Sequence, residues 1–389
     1  MKTVITAAQL ITPMEWIETP HVIVEDGQIT ALGPRDALPA PVGARELNFP
    51  GLILAPGFID IHVHGGAGHD LMETDARALA AIERHMAKHG VTSYLATTVT
   101  APQEKVLRAL DHLGHAIQNR DSEDRACALG VHLEGPFISH AKRGVHSPED
   151  LVPPSPQKLE TFWQSSLGTL RMMTIAPELP GALETIQLGR KLGVIASLGH
   201  SDAKFHEASA AIAAGAVHAT HTFNAMRALD HREPGILGAV LSNDAISADI
   251  IADGIHLHPD IVRLFLTAKG RERSILITDA ISAAGMPDGR YRLGPFEVEV
   301  KDGRCDRDGK LAGSVLTLDR AVRNVMDFAG WKLQEAVRLV TINPARLLGI
   351  TNQRGRLAPG CVADMVALTP QGDVVKSLVA GRVCGPLHL

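Results

Sequence analysis

Two histidines stand two positions apart at the end of an apolar run, in the segment PGFIDIHVHGGAGHD (56–70). A β-strand turns alternate side chains to the same face, so His62 and His64 would point the same way and could hold one ion together. The alternative is that both are ordinary polar residues at a strand end. Metal chemistry therefore requires further ligands elsewhere in the chain.

Other histidines and carboxylates also follow predicted strands, where the catalytic residues of parallel α/β barrels lie. Any one of them alone could be structural, and a carboxylate at such a position can cap the next helix. Nitrogen and oxygen ligands without thiolate suit zinc, iron, manganese or cobalt, and zinc is the leading expectation. The full set of four imidazoles and two carboxylates is His62, His64, Glu134, His200, His221 and Asp279.

The middle of the chain, residues 53–352, alternates strand and helix patterns. Amphipathic helical patterns lie between most of the strands, and several end at a glycine. This alternation predicts an α/β fold with a (β/α)8 TIM-like barrel, whose loops after the strands meet at one rim. An open doubly wound sheet competes, but its glycine fingerprint after the first strand is missing. The eight predicted strands are 57–64, 92–98, 128–135, 171–178, 194–201, 217–224, 246–253 and 274–280.

The two ends of the chain have a different pattern, with short strands, turn residues and almost no helix. We interpret residues 1–52 and 353–389 as one small domain, a β-sandwich formed by both chain termini. A further β-rich segment, 289–313, follows the eighth predicted strand. It predicts a β-hairpin excursion at the catalytic rim.

Composition excludes several classes of protein. The 389 residues are 45% hydrophobic and 21% charged, which is enough for a large core in one or two domains. The net charge of −5 and the absence of a basic block argue against nucleic acid as a partner. No apolar run has the length of a membrane span and no signal-peptide core is present, so we expect a soluble protein without a membrane partner.

Cysteine usage predicts the compartment. Four cysteines are scattered without C-x-x-C spacing, which excludes a disulfide framework or a cysteine zinc site. This usage suits a reducing environment and predicts a cytoplasmic location. The four are Cys127, Cys305, Cys361 and Cys384.

Several longer motifs occur in order along the chain: PGFIDIHVHGG, GVHLEGPF, RGVH, LGHSDA, THTFNAM with REPG, ADGIH, LITDA and LAGS. Together they resemble the N-acetylglucosamine-6-phosphate deacetylase family of the amidohydrolase superfamily, over residues 1–389. The H-x-H motif is shared by the whole superfamily, whereas HLEGPF, THTFNAM and ADGIH are specific to these deacetylases. The resemblance implies metal-dependent hydrolysis of the N-acetyl group of N-acetyl-D-glucosamine 6-phosphate, giving D-glucosamine 6-phosphate and acetate, in amino-sugar catabolism and recycling.

The resemblance also assigns roles to individual residues. It implies a catalytic metal on Glu134, His200 and His221, and a proton shuttle at Asp279. Some family members lack histidines at the first motif and work with one metal. Because His62 and His64 are both present here, a second metal with Glu134 between the two ions is plausible, so we expect one or two divalent ions per subunit.

Substrate contacts carry over in the same way. A bound divalent metal lowers the pKa of its water to near 7, which supplies the nucleophile. His146 is expected both to contact the substrate and to stabilise the oxyanion. Asp279 would take the proton of the attacking water and pass it to the departing amine. The expected substrate-binding residues are Val145, His146, Asn224, Ala225, Arg232, Gly254, Ile255, His256, Leu311, Ala312, Gly313 and Ser314.

Arg232 has two interpretations of equal weight. Its planar guanidinium suits phosphate oxygens, but it could equally form a surface salt bridge with an acid such as Glu233. In the resembling deacetylases the matching arginine reaches the phosphate of the neighbouring subunit. The resemblance therefore implies a homodimer with Arg232 contributed across the interface.

Two other functions fit the sequence less well. An amidohydrolase of the dihydroorotase or hydantoinase type needs a carboxylated lysine after the fourth strand, where this chain has Glu178. A metal-free binding protein could keep the fold, but it would be expected to have lost ligands. The identity and number of the metals and the choice between glucosamine and galactosamine epimers are left open by the sequence.

Overall fold

The computed structural model describes residues 2–12, 15–120 and 124–385. The N-terminal segment is built of strands because it is rich in β-branched and apolar residues, most of which are buried. No helix in these described ranges is both long and apolar enough to cross a membrane. The first five strands are β1 (Lys2–Ile11), β2 (Trp16–Glu18), β3 (Pro20–Glu25), β4 (Gln28–Pro34) and β5 (Arg45–Pro56).

A parallel sheet follows, and its longest strands are buried on both faces, as is typical of sheets covered by helices. All eight predicted strand segments contain a strand. Two further two-residue strands, β7 and β8, pair antiparallel directly after the first predicted segment. The strands are β6 (Phe58–Val63), β7 (Gly65–Gly66), β8 (His69–Asp70), β9 (Val91–Thr98), β10 (Cys127–Glu134), β11 (Leu170–Ile175), β12 (Ile195–Leu198), β13 (His218–Ala219), β14 (Ala248–Ile250) and β15 (Ser274–Leu276).

Helices connect these strands and cover the sheet. Several have the expected end signals: the Asp75 side chain caps the first helix at Arg77 N, and Gly193 ends the fourth with a left-handed backbone. The helices are α1 (Ala76–Lys88), α2 (Gln103–Gln118), α3 (Pro156–Ser165), α4 (Ala182–Leu192), α5 (Phe205–Ala214), α6 (Gly235–Ser242), α7 (Pro259–Arg273), α8 (Leu318–Ala329), α9 (Leu333–Arg338) and α10 (Ile342–Leu347), with short 3-10 turns at His140–Lys142 and Pro148–Asp150.

The parallel strands curl around a common interior. Six are paired in the order β13-β12-β11-β10-β9-β6, and β14 pairs with β15. Backbone hydrogen bonds join the two groups at both sides, from Thr222 N to Asp249 O (2.9 Å) and from Asp279 N to His62 O (2.9 Å). The predicted α/β class is confirmed, with a curled parallel sheet of the kind the sequence pattern indicates.

The segment after β15 forms a separate antiparallel sheet with its own apolar cluster, which includes Leu293, Phe296 and Val298. Its four short strands are β16 (Gly289–Leu293), β17 (Phe296–Lys301), β18 (Arg304–Arg307) and β19 (Lys310–Leu311). The chain ends with β20 (Met365–Leu368), β21 (Val374–Val379) and β22 (Arg382–Val383).

Both ends of the chain meet in one sheet. Its order is β22-β21-β20-β5-β1-β3-β4, with β2 paired to β1, so it contains eight strands. A separate β-sandwich is not confirmed, because these strands hydrogen-bond into a single continuous sheet. The alternation in the sequence predicted the strands, but it could not specify how segments some 300 residues apart would pair.

The junction between this sheet and the parallel sheet generates a stability prediction at Gly57. A Cβ at this position would lie 2.2 Å from Thr92 Oγ1 and 2.4 Å from Thr92 Cγ2, and Thr92 is buried. Gly57→Ala should therefore overpack the start of β6 and lower the free energy of unfolding by about 1–3 kcal/mol, measured by chemical denaturation.

Gly33→Ala is the matched control, because Gly33 also has an ordinary backbone conformation and a Cβ there would meet only Leu38 Cβ at 3.8 Å. That variant should leave the free energy of unfolding within about 0.5 kcal/mol of the parent or raise it slightly. Equal stability of the two variants would show that Thr92 can move aside.

Candidate metal centre and active-site cavity

Six side chains converge at the carboxyl ends of the parallel strands. His62 lies in β6 and His64 directly after it, while Glu134 is the last residue of β10. The other three follow β12, β13 and β15 by two or three residues. All six are buried, and they are His62, His64, Glu134, His200, His221 and Asp279.

Three of these residues have a left-handed backbone. The φ angles are +49° at His200, +31° at His221 and +50° at Asp279. This conformation is uncommon for residues with a side chain and costs about 1–3 kcal/mol at each position. The strand ends are therefore bent at these residues in a way that turns their side chains toward one centre.

The first group of potential ligands is Glu134, His200 and His221. His221 Nε2 lies 3.1 Å from Glu134 Oε1 and 3.1 Å from His200 Nε2, and His200 Nε2 lies 3.3 Å from Glu134 Oε1. The ring of His200 is oriented by its Nδ1, which is 2.9 Å from the carbonyl oxygen of Lys142. That contact makes Nδ1 the donor and leaves Nε2 with a lone pair directed at the centre.

The second group is His62, His64 and Asp279. The two Nε2 atoms are 3.2 Å apart, and Asp279 Oδ1 lies 3.5 Å from His62 Nε2 and 3.2 Å from His64 Nε2. Glu134 connects the groups, since its Oε1 is 3.4 Å from His62 Nε2 and its Oε2 is 3.1 Å from His64 Nε2. One carboxylate thus lies between two sets of ligand atoms.

The donor set fits a divalent cation. Within each group the ligand atoms all lie within 4.8 Å of one another. Two imidazole nitrogens in contact can share at most one proton, so hydrogen bonding alone leaves lone pairs without a partner. Among the described residues, Nδ1 of His62, His64 and His221 also has no hydrogen-bond partner. Buried nitrogen and oxygen ligands with this spacing are those that zinc and related metals use.

Electrostatics of the site favour positive charge. Burial alone would lower the pKa of His64 and of His221. Hydrogen bonds that His64 donates to Asp279 and Glu134 nevertheless raise its pKa to about 10, and a hydrogen bond donated to Glu134 raises the pKa of His221 to about 9. Burial works against ionisation of Asp279, yet His62 and His64 hold its pKa at about 2. The pKa of Glu134 is likewise held well below its usual value by surrounding histidines, His62 foremost, against the effect of burial. Two ionised carboxylates therefore attract cationic charge into the centre.

A cavity of about 480 Å³ opens over these ligands. It is large enough for a small polar molecule, and its walls come from the loops after the strands and from the sheet at 289–311. Eight of the expected substrate residues line it: Val145, His146, Asn224, Ala225, His256, Leu311, Ala312 and Gly313.

His146 is held at the edge of the metal ligands. Its Nδ1 lies 2.8 Å from Thr100 Oγ1, and its Nε2 is 3.8 Å from Glu134 Oε2. Burial and the neighbouring His200 lower the pKa of His146 to about 3, so the ring is neutral near pH 7. A neutral imidazole here can donate one hydrogen bond to a group in the cavity.

Four expected substrate residues do not line the cavity. Ser314 is buried behind it, where its hydroxyl donates to the carbonyl of Thr278 and its backbone N–H donates to Asp279 O at 2.8 Å. Arg232 is exposed on the loop after β13, and its side chain forms no ion pair with any described residue, Glu233 included. The other two, Gly254 and Ile255, are exposed beside His256.

Some residues of the site were missed by sequence reasoning. Thr100 orients His146, and Asp249 orients the potential ligand His221 by accepting a hydrogen bond from its backbone N–H; neither belongs to a recognisable motif. Three cations, Lys142, Arg304 and Lys310, line the cavity. Lys142 adjoins the RGVH motif. The other two lie in the excursion, which was predicted at the catalytic rim, but nothing in the local pattern assigned these two side chains to the cavity.

The chain is similar to known proteins over most of its length. The amidohydrolase family matches residues 53–384. The chain is 39% identical to N-acetylgalactosamine-6-phosphate deacetylase of Escherichia coli O157:H7, covering 98% of this chain and 99% of that protein. It is 38% identical to N-acetylglucosamine-6-phosphate deacetylase of Vibrio furnissii, covering 97% and 94%.

A solved structure is also similar. It is that of a mutant N-acetyl-D-glucosamine-6-phosphate deacetylase from Mycobacterium smegmatis in complex with N-acetyl-D-glucosamine-6-phosphate. Its sequence is 34% identical, the TM-score is 0.91, and the match covers 98% of this chain and 99% of that one.

The two ligand groups generate a prediction about metal content. Replacing both His62 and His64 by asparagine should remove at most one metal equivalent per subunit, because Glu134, His200 and His221 remain as a complete set. Activity should fall without disappearing. Metal per subunit is measured by plasma emission spectrometry after purification in defined metal.

His115→Asn is the control, since His115 is an exposed helix residue that pairs only loosely with Asp111. It should leave the metal content unchanged. If the double variant loses all bound metal, His62 and His64 belong to the primary site and the division into two groups is wrong.

Proposed function

The chain belongs to the amidohydrolase family, in the group of N-acetylhexosamine-6-phosphate deacetylases, and we propose that it hydrolyses N-acetyl-D-glucosamine 6-phosphate to D-glucosamine 6-phosphate and acetate. The observation that carries the proposal is the convergence of four imidazoles and two carboxylates at the floor of one cavity. A role in amino-sugar metabolism follows from this reaction.

The proposed metal ligands are Glu134, His200 and His221, with His62 and His64 as a second position that Glu134 also faces. A divalent ion held there lowers the pKa of water enough to supply a nucleophile near neutral pH. We propose zinc, and iron, manganese or cobalt would suit the same nitrogen and oxygen donors.

Asp279 is the proposed proton shuttle. Its carboxylate is buried at the cavity floor with a pKa near 2, so it is ionised and can accept the proton of the attacking water. It then delivers this proton to the sugar nitrogen. An amine leaves only when protonated, so the same carboxyl group serves both halves of the reaction.

His146 is the proposed donor to the acetyl oxygen. The hydroxyl of Thr100 fixes the ring through Nδ1, which directs Nε2 into the cavity beside Glu134. A preorganised donor at this place is worth most where charge develops on the oxygen during attack.

The phosphate and the sugar are assigned to the remaining walls. We propose that the Asn224–Ala225 turn and His256 contact the phosphate, and that the segment Leu311–Gly313 contacts the sugar. Ala225 has a left-handed backbone (φ +50°), which exposes backbone N–H groups in the manner of anion-binding turns. Gly254 and Ile255 would support His256 from outside the cavity, and Ser314 would act only through Asp279.

Assembly is proposed as a homodimer. Arg232 lies outside its own cavity, is exposed, and has no ion pair among the described residues, so its guanidinium is available to a neighbouring subunit. Closed twofold pairs are the commonest arrangement of identical chains. We propose that Arg232 reaches the phosphate bound by the partner subunit.

Further proposals concern organisation. The curled parallel sheet is proposed as a complete (β/α)8 barrel over residues 53–352, and the terminal sheet as a domain of residues 1–52 and 353–389. The eight strand segments and the bonds between β6 and the segment after β15 support the barrel. Four free cysteines support a cytoplasmic location.

The activity is tested together with its proton shuttle. The purified protein of known metal content should release acetate from N-acetyl-D-glucosamine 6-phosphate, and Asp279→Asn should lower this turnover by roughly 10²-fold to 10⁴-fold because the amide cannot shuttle the proton. The galactosamine epimer is assayed in parallel, since relatives named for both epimers are about equally similar. Substrate binding by the variant, measured by calorimetry, should stay close to the parent.

Release of no acetate from either epimer would contradict the proposed function. If the turnover of Asp279→Asn is within threefold of that of the parent, Asp279 is not the proton shuttle, but the proposed function stands.

The dimer is tested through Arg232. Arg232→Ala should lower kcat/KM by roughly tenfold to a hundredfold for phosphorylated substrate only, because a charge-assisted contact is lost. Mixing this variant with Asp279→Asn subunits should restore activity, because a mixed dimer has one site with both residues intact.

Arg108→Ala is the control, being an exposed arginine on α2 that pairs with Glu104 at 3.8 Å. It should change kcat/KM for neither phosphorylated nor unphosphorylated substrate. If subunit exchange restores nothing, or if the active species is a monomer, Arg232 does not act across an interface.

A further inference from the structure

Asp253, which is not one of the proposed metal ligands, contacts a residue in one wall of the cavity. Asp253 Oδ2 lies 2.7 Å from Nδ1 of His256, which lines the cavity. The side chains are only 9% and 5% exposed, so this pair is largely withdrawn from water. An ionised carboxylate can only accept hydrogen bonds, which requires that Nδ1 of His256 carries a proton.

The other oxygen of the same carboxylate fixes the backbone. Asp253 Oδ1 accepts hydrogen bonds from Ile255 N at 2.8 Å and His256 N at 2.7 Å. Such a side-chain-to-backbone turn needs a sharp bend, and Gly254 provides it with a left-handed φ of +79°. One carboxylate thus sets both the loop and the ring that the loop carries.

Helix α8 supports this turn from behind. Asn324 Nδ2 donates to the carbonyl of Ala252 at 2.8 Å, and a Cβ on Gly254 would lie 3.4 Å from Phe328 Cζ. Asn324 and Phe328 are one helical turn apart on the same face. Contacts with helix α8 therefore support the turn from behind.

One ring atom is left for the cavity. Among the described residues, Asp253 is the hydrogen-bond and ion-pair partner of the His256 side chain, and no other is found. With Nδ1 occupied by the carboxylate, Nε2 is the atom that can meet a molecule in the cavity. The arrangement matches the pairs in which a carboxylate fixes the tautomer and direction of a functional imidazole.

We propose that Asp253 is a positioning residue for phosphate recognition, acting through His256. Resting on the proposed function, this inference adds a residue that does not itself touch the substrate. The Asp253 carboxylate accepts from Nδ1–H and so directs Nε2 of His256 into the cavity, toward the proposed phosphate position. The other oxygen, Oδ1, accepts from the backbone N–H groups and holds the loop in place.

Asp253→Asn separates these two tasks. The amide oxygen can still accept from the two backbone N–H groups, so the turn and the melting temperature should be kept. The charge at Nδ1 is lost, and we expect KM for N-acetyl-D-glucosamine 6-phosphate to rise about tenfold to a hundredfold with kcat within about threefold. Values for unphosphorylated N-acetylglucosamine should not change.

A double-mutant cycle tests whether Asp253 works through His256. His256→Asn should raise KM at least as much, and adding Asp253→Asn to it should cost less than twofold more. Asp75→Asn is the matched control, because Asp75 also accepts a backbone N–H but lies at the exposed start of α1. It should leave all constants within twofold.

Several results would overturn the inference. An unchanged KM in Asp253→Asn removes the role, and losses that multiply in the double variant show that the residue acts independently of His256. An equal rise in KM for unphosphorylated N-acetylglucosamine would indicate that Asp253 has only a structural role. Binding of glucosamine 6-phosphate, measured by calorimetry, compares Asp253→Asn with the parent protein without catalysis. If the parent protein is inactive, the proposed function is refuted. The positioning role is still decided by whether Asp253→Asn weakens this binding.

Discussion

The carboxylate of Glu134 is the group around which the candidate site is organised. It is buried at the end of β10, and the Nε2 atoms of His62, His64, His200 and His221 all lie 3.1–3.4 Å from its oxygens. A buried carboxylate without compensation is costly, so positive charge must be present beside it, either as protons on the imidazoles or as bound cations. The curled order of the parallel strands serves this requirement, because it brings the ends of β6, β12 and β13 around the end of β10. The candidate metal centre therefore depends directly on the order of the parallel strands.

Holding these groups requires backbone conformations that a chain would not adopt unaided. The left-handed residues His200, His221 and Asp279 are each fixed by a hydrogen bond from elsewhere in the fold. Ser139 N donates to His200 O at 2.9 Å, Ser314 N donates to Asp279 O at 2.8 Å, and the carboxylate of Asp249 accepts from His221 N. The surrounding structure thus determines these strand ends, which is how strained geometry persists at sites of this kind. Ser314 belongs to this supporting layer and not to the cavity wall.

The floor of the cavity, which carries the candidate metal ligands, and part of its wall come from different parts of the chain. The floor is made by strand ends of the parallel sheet, whereas part of the wall is the antiparallel sheet at 289–311, which has its own apolar cluster. Arg307 connects this sheet to the loop that carries His146, because its guanidinium donates to Val145 O at 2.8 Å and lies 4.1 Å from the centre of the Phe296 ring. The floor and this part of the wall therefore come from separately packed parts of the fold.

The sequence by itself determined the class of fold, the six residues at strand ends and the family, because these depend on local periodicity and on short motifs. Alternating strands and helices predicted the parallel sheet, and His62 with His64 could be placed on one face from their spacing alone. Only the tertiary structure decided which residues support that set. Thr100, Asp249 and Asp253 act through hydrogen bonds whose partners no spacing rule supplies, and Arg304 and Lys310 reach the cavity because the excursion folds over it. The pairing of the two chain ends into one sheet, where a sandwich was predicted, has the same cause: strand propensity is local, but the partner of a strand is chosen by contacts between distant segments.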